Sequence, residues 1–285
     1  MEEKAIKEKS SHPAWSYFRL PPFSPVAIQI VQLVNQEDVA VDELSKLISS
    51  DQALASTVLT LANSALYSHR FPVVDILHAI NRIGIKNIQG LCLNAAMVGF
   101  LGKSLKLPTM RTLWSHNLAC GFIAEMLATG TGIDQGSAFT CGLMHDVGRL
   151  ALAVLRPNEY MLLLEKHAGS PASILQCETE MFGFDHCEAG HELVLSWALP
   201  TPFDAVVSTH HGQRQKDNLW DLAGLINLSC RMADCAGFAA FSLCEATSYT
   251  DLLEELPKKA VRSLYPDVES LALEIRGRIE MMQAV

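Results

Sequence analysis

Gly142-Leu143-Met144-His145-Asp146-Val147-Gly148-Arg149 sets an imidazole and a carboxylate side by side in an otherwise apolar run. Ala138, Cys141, Met144, Val147 and Leu150 to Leu152 extend the apolar character on both sides. The spacing predicts one buried helix carrying both polar residues and stopping at Pro157. A carboxylate buried without a partner is costly, so Asp146 needs a metal, a cation or hydrogen-bond donors. A neutral imidazole beside it makes the pair a candidate for a divalent metal.

Working outward, helical spacing recurs everywhere. Upstream, Lys106 and Pro108 mark a break before a helix over about 110–128. Leu113, Asn117, Cys120, Ala124 and Leu127 form its inner face, with His116 beside them, and Thr129-Gly130-Thr131-Gly132 ends it. Downstream, helices are predicted over 157–167, from the cap in Ser170-Pro171 to Gly183, from the cap Asp185 through His186, and from the cap in Thr201-Pro202 to His210-His211-Gly212. Leu219 to Gly237 reads as one more, and 242–285 as further amphipathic helix.

Towards the N-terminus, Ser24-Pro25 is a helix start, Asp51 a cap and Gly84 a stop. Residues 1–14 read as a mobile polar tail. No segment alternates as a strand, and no Asn-Gly or Asp-Gly hairpin turn occurs. The predicted class is therefore all-α: a multi-helix bundle whose N-terminal helical subdomain packs on a helical core.

Composition narrows the functional classes. Twenty-two basic against 31 acidic residues give a net charge of −9, which argues against nucleic acid as the main partner. No uncharged apolar run reaches the roughly 20 residues of a membrane span, so no membrane partner is expected. The charged start Met1-Glu2-Glu3-Lys4 lacks a signal peptide's apolar core, and the 8 cysteines include no Cys-x-x-Cys pair. They read as reduced core residues, and the expected location is cytoplasmic.

The run from Leu20-Pro21-Pro22 through Asp51-Gln52-Ala53-Leu54 and Leu61-Ala62-Asn63-Ser64-Ala65 to Ala79-Ile80-Asn81-Arg82-Ile83-Gly84 resembles the HDOD family. These proteins are bacterial relatives of the HD-domain phosphohydrolases. The resemblance covers about 15–240 and implies an N-terminal bundle over 15–107, an HD-like core over 108–240 and a helical extension over 241–285. It also implies a role in bacterial signalling, in a family where many members have lost their metal ligands.

The order His116, His145-Asp146, His186, His210-His211 resembles the ligand order of the HD superfamily, especially its HD-GYP branch. Separate helices of an all-α core can direct such ligands to one point. Imidazole with carboxylate suits iron, manganese, zinc or nickel, as one ion or two; two would both activate a water and hold a phosphate oxygen. Arg149 stands where related hydrolases carry a lysine after His-Asp-x-Gly, and a forked guanidinium can also hold phosphate.

Two departures from the pattern stand out. Aligned through Leu228, Arg231 and Gly237, the late aspartate of the family falls on Cys230, while Asp234 lies one turn on; either could complete the site. His210-His211-Gly212-Gln213-Arg214 lacks the Gly-Tyr-Pro segment of cyclic-di-GMP phosphodiesterases, which argues against that activity.

The remaining polar and aromatic residues read more plainly. His69, His78 and His191 are surface or packing histidines, and His12 and His167 carry no signal. Trp114 and Trp197 are core anchors, and Cys141, Cys177 and Cys187 small core residues. Asn63 is a packing-turn residue. Two functions follow. One is a signalling module, acting with other signalling proteins or a small phosphorylated ligand and retaining a metal. The other is a metal-dependent phosphohydrolase, with Asp146 and Arg149 as its catalytic pair and Arg149 stabilising developing charge.

Overall fold

Ser24 accepts the Ala27 amide at 3.3 Å and Pro25 supplies a preset first helical φ, so the chain's first described helix starts there. The computed structural model describes residues 20–34, 39–64, 71–166, 171–212, 220–241, 247–261 and 264–283. The 1–14 tail, the Ser170 cap, His12, His69 and His167 lie outside them. Among the described residues there is no strand, and the fold is all-α.

Among the described residues, the N-terminal part holds α1 Pro25–Val34, α2 Val41–Ser49, α3 Gln52–Ala62, α4 Ile76–Ile83 and α5 Ile85–Leu101. Asp51 caps α3 through the Ala53 and Leu54 amides, and Asp75 caps α4 through His78 N. Gly84 turns the chain from α4 to α5 at φ 90°, a region open to glycine at little cost. Asn63 closes the α3–α4 connection by holding both the N–H and the carbonyl of Val73. Ile30, Leu44, Ile48, Val58, Ala79, Ile80 and Ile88 fill one apolar core.

The rest is α6 Pro108–Ala128, α7 Gln135–Met144, α8 Val147–Leu155, α9 Pro157–Lys166, α10 Pro171–Phe182, α11 His186–Ser196, α12 Thr201–Thr209 and α13 Leu222–Ala233. Three shorter or terminal pieces follow: α14 Tyr249–Glu254, α15 Lys258–Val261 and α16 Val268–Gln283. Helix α6 lies at the centre of a second core; Leu113, Leu118 and Ile123 meet Leu143, Leu150, Leu225, Leu228, Leu271 and Ile275 there. The C-terminal helices thus close the same core. Trp114 is buried in it, while Trp197 stacks on Phe23 with ring centroids 4.2 Å apart.

Three helix assignments change. The stretch around His145 is two helices: the chain bends at His145-Asp146, with Asp146 at φ −102°, ψ 23°. Apolar spacing runs unbroken through the bend because both helices are buried, so periodicity alone could not reveal it. Thr201 does not cap α12. It is already the first helical residue, with Pro200 in the cap position and no side-chain cap bond. Helix α13 begins at Leu222 and ends at Ala233, followed by a wider π-type turn over 234–238 that Gly237 terminates at φ 85°.

Two stretches, Asn87–Lys106 and Gln135–Leu155, are long and apolar enough to cross a membrane by length and composition alone. Both lie mostly inside the protein, and the second contains the bend.

Candidate metal centre

The bend is what aims the centre. Asp146 occupies the N-cap position of α8, where an aspartate ordinarily accepts backbone N–H groups, yet its side chain makes no cap bond. It turns instead into the interior, where it is 1% exposed. Two glycines of the same stretch allow the neighbours to approach. A Cβ at Gly148 would lie 2.0 Å from the His186 carbonyl oxygen, and one at Gly142 would lie 2.7 Å from the Gly121 Cα. So α8 crosses α11 and α7 crosses α6 at backbone contact, which brings His186 and His116 up to His145-Asp146. Asn117 ties α6 to the bend by donating to the Leu143 carbonyl at 2.9 Å. Asn227 holds the end of α12 by donating to the carbonyls of His210 and Gly212, and Arg231, paired with Glu255, holds Asn227.

Six of the predicted residues meet. His116, His145, Asp146, His186 and His210 are buried, with His211 partly buried at the edge. Ring centroids are 5.3 Å apart for His116–His145, 5.0 Å for His145–His210, 5.6 Å for His186–His210 and 4.0 Å for His210–His211.

The hydrogen bonds decide which ring atoms face inward. His145 Nδ1 is 2.7 Å from the Gly142 carbonyl oxygen, and His116 Nδ1 is 2.9 Å from that of Phe238. His210 Nδ1 faces the carbonyls of Val206 and Val207, each at 3.2 Å. A carbonyl only accepts, so each Nδ1 carries hydrogen and each Nε2 points inward. His186 is fixed from both sides. Arg149 donates to its Nε2 at 3.2 Å, while its Nδ1 donates to Glu178 Oε2 at 2.6 Å.

The result is a cluster of acceptors. Asp146 Oδ1 lies 3.2 Å from His210 Nε2 and 3.3 Å from His186 Nε2. His145 Nε2, 3.7 Å from Asp146 Oδ2, is buried without a well-aligned hydrogen-bond partner among the described residues. Lone pairs converging in a buried place call for a cation. Ligand atoms of His145, Asp146 and His210 lie within 4.8 Å of one another, as do those of His186, Cys187, His210 and His211. The donor set fits a divalent metal.

One cation is built in. Arg149 Nε sits 3.0 Å from Asp146 Oδ2, an ion pair whose N–H is not aligned for a hydrogen bond, and its guanidinium lies over the Phe241 ring. Burial pushes the Asp146 carboxyl up, but Arg149 and the imidazoles outweigh it and hold it well below the usual carboxylate range. Asp146 in turn raises Arg149 against its burial, so both stay charged. Burial lowers His145, and burial with His210 and His186 beside it lowers His211 well below its usual value; both rings favour the neutral, ligating form.

Asp234 is not among the converging atoms. Its Oδ1 lies 3.6 Å from His116 Nδ1, on the outer side of that ring, and burial with the Cys230 thiol nearby raises its carboxyl to about 7. Cys230 takes the inner place, its Sγ 3.4 Å from His116 Nε2. The Cys120 hydrogen bond and the His116 charge hold the Cys230 thiol well below its usual value, and His116, against its burial, is raised to about 9 by Cys230.

Glu178 and Cys120 lay outside the predicted set. Glu178 is fully buried; its Oε2 accepts both the backbone N–H and Nδ1–H of His186, and its Oε1 accepts from Tyr160. The His186 imidazole holds its carboxyl low against its burial. Nothing in Cys177-Glu178-Thr179-Glu180 separates Glu178 from a solvated acid. Cys120 did carry a signal, since it lies one turn after His116 on the same face of α6. His191 stands apart, half-exposed and paired with Asp204 at 2.5 Å.

Comparison with known proteins agrees with this architecture. An uncharacterized protein of Treponema pallidum (strain Nichols) is 29% identical over 197 residues, 67% of this chain; the chain spans 37% of that relative's length. A Marinobacter aquaeolei VT8 structure, suggested to act in signal transduction, superposes with a TM-score of 0.74 at 20% identity, covering 99% of this chain and 65% of that one. A Shewanella amazonensis SB2B structure, suggested to be a phosphohydrolase, gives 0.67 at 24% identity, covering 93% and 94%. The HDOD domain profile matches residues 20–213, which takes in the N-terminal bundle and the His145-Asp146, His186 and His210-His211 groups: the chain belongs to the HDOD-domain family.

Proposed function

We propose that the protein is a regulatory HDOD module of a bacterial signalling system, with a divalent metal held at its HD-type centre. The observation that carries the metal is the inward convergence of the His145, His186 and His210 Nε2 atoms on Asp146, with the Nδ1 of each fixed outward. The regulatory reading rests on Arg149. This guanidinium is 1% exposed and already engaged by Asp146 and His186, so it is not free to meet a phosphate in the way an arginine stabilising developing charge must. Metal analysis of the purified protein, with phosphodiester and nucleotide turnover measured on the same sample, tests this. Bound metal without turnover is expected. Turnover that a chelator and Asp146→Ala both abolish would overturn the regulatory part.

His211 favours a second reading, a metal-dependent phosphohydrolase acting on a nucleotide or other phosphorylated small molecule. It is partly buried at the edge of the His186–His210 set, where a ligand could enter. A divalent ion there supplies Lewis acidity and an acidic water. His210, His211 and Asp146 would hold it, joined by His186 once Arg149 leaves its Nε2, and the released guanidinium would then offset negative charge on the phosphate.

A further inference from the structure

The HD-type centre has a sulfur side. His116 and Cys120 sit one turn apart on α6, His145 at the α7–α8 bend and Cys230 on α13. Their four ligand atoms, two Nε2 and two Sγ, all lie within 4.8 Å of one another. His116 Nε2 is 3.6 Å from Cys120 Sγ and 3.4 Å from Cys230 Sγ. Zinc–sulfur bonds of about 2.3 Å and zinc–nitrogen bonds of about 2.0–2.1 Å in a tetrahedron give nitrogen–sulfur edges of about 3.6 Å. The two edges from His116 Nε2 thus match those of a tetrahedral S2N2 shell, and the other ligand atoms lie within 4.8 Å of one another.

A second observation points to the same place. His145 Nε2 is buried without a well-aligned hydrogen-bond partner among the described residues, with the Cys230 thiol beside it, although its Nδ1 is fixed on the Gly142 carbonyl. His116 likewise presents Nε2 to the two thiols while Nδ1 is held by the Phe238 carbonyl. His116, Cys120 and His145 are buried, and Cys230 is partly buried.

We propose that His116, Cys120, His145 and Cys230 form a closed Cys2His2 site selective for zinc. The inference rests on the reading that the centre holds metal and assigns its sulfur half. Thiolates favour zinc over manganese or magnesium, and four protein ligands leave no position for water or substrate. This half is therefore structural: it ties α6, the bend and α13 together. Any chemistry is left to Asp146, His186, His210 and His211. Replacing the late carboxylate by Cys230 changes the metal preference as well as the ligand.

Cobalt substitution reads the ligands directly. Protein stripped of metal under reducing conditions and titrated with Co2+ is expected to show a near-ultraviolet sulfur-to-cobalt charge-transfer band and intense tetrahedral visible bands. One equivalent of Zn2+ should remove them. Cys120→Ser and Cys230→Ser should each cut the charge-transfer intensity by about half, whereas His211→Ala should leave it unchanged. Should the cysteine variants fail to fold, zinc-edge X-ray absorption of the wild-type protein gives the count, with two sulfur and two nitrogen neighbours expected. Cobalt bound without a charge-transfer band, or a zinc shell without sulfur, overturns the proposal while leaving a histidine–carboxylate metal centre standing. A protein that takes up no metal overturns both.

Discussion

The two cores of this chain are built on opposite terms. Between α1 and α5, Ile30, Leu44, Ile48, Val58, Ile80 and Ile88 pack apolar surface alone, and each is essentially fully buried. Around the bend, the interior holds four imidazoles, Asp146, Arg149 and Glu178 at equal burial. The first core is stabilised by area removed from water, term by term. In the second, burial is unfavourable for every group taken singly, and only their mutual pairing offsets it. Damage to the first core should therefore scale with volume lost, and damage to the second with charge left unpaired.

The largest effect is expected at Asp146. Asp146→Ala removes few atoms but leaves Arg149 as a buried guanidinium facing an imidazole. Removing one partner of such a pair costs about 3–5 kcal/mol. Denaturant unfolding should show this loss, and metal content should fall with it. Asp146→Leu combined with Arg149→Met should recover much of the loss, because neither member of the pair is then left buried without its partner. A single-variant loss below about 1 kcal/mol would remove the contrast between the two cores.

Leu44→Ala is the counterpart in the apolar core. Leu44 is fully buried, and such truncations cost about 2–5 kcal/mol through lost transfer energy and the cavity left behind. Metal content per folded molecule should not change. A variant that also lost its metal would show the two cores to be one cooperative unit.

The apolar core is also the more legible of the two. Ser24, Asp51 and Gly84 mark their helix ends in the sequence as they do in the structure, because each acts on backbone groups within a few residues of itself. The gathering of His116, His145, Asp146, His186, His210 and His211 followed from a family order rather than from periodicity. What escaped depends on long-range contact. The bend at His145-Asp146 carries no proline, and its two glycines, Gly142 and Gly148, read as helix flaws until α6 and α11 are seen against them. Glu178 acquires meaning only from Tyr160 and His186, 18 and 8 residues away. Cys230 lies by the inner nitrogen of the His116 ring and Asp234 by the outer one, a difference that helix register alone does not reveal.

Glu178→Gln sharpens the comparison from behind the ligands. The amide keeps an oxygen for the His186 N–H groups but loses the charge that orients and polarises the ring. A partner of this kind is typically worth 10–100-fold in metal affinity. Competition with a chromophoric chelator should show weakening in that range, with the ion still bound at saturation. Unchanged affinity would mean that the His186 side takes no part in metal binding.

The smallest effect is expected at His191, which shares α11 with His186 and so controls for position on that helix. Its pairing with Asp204 links α11 to α12, but the two side chains are 36% and 34% exposed. Pairs so open to water contribute about 0–1 kcal/mol after screening and side-chain ordering. Its ring is absent from the three ligand sets of the centre. His191→Ala should therefore cost at most about 1 kcal/mol in denaturant unfolding, leave metal stoichiometry and affinity unchanged, and become indistinguishable from wild type as salt rises. A metal loss comparable to that of Glu178→Gln would show that the α11–α12 contact, and not the shell around Glu178, sets the position of His186 and His210.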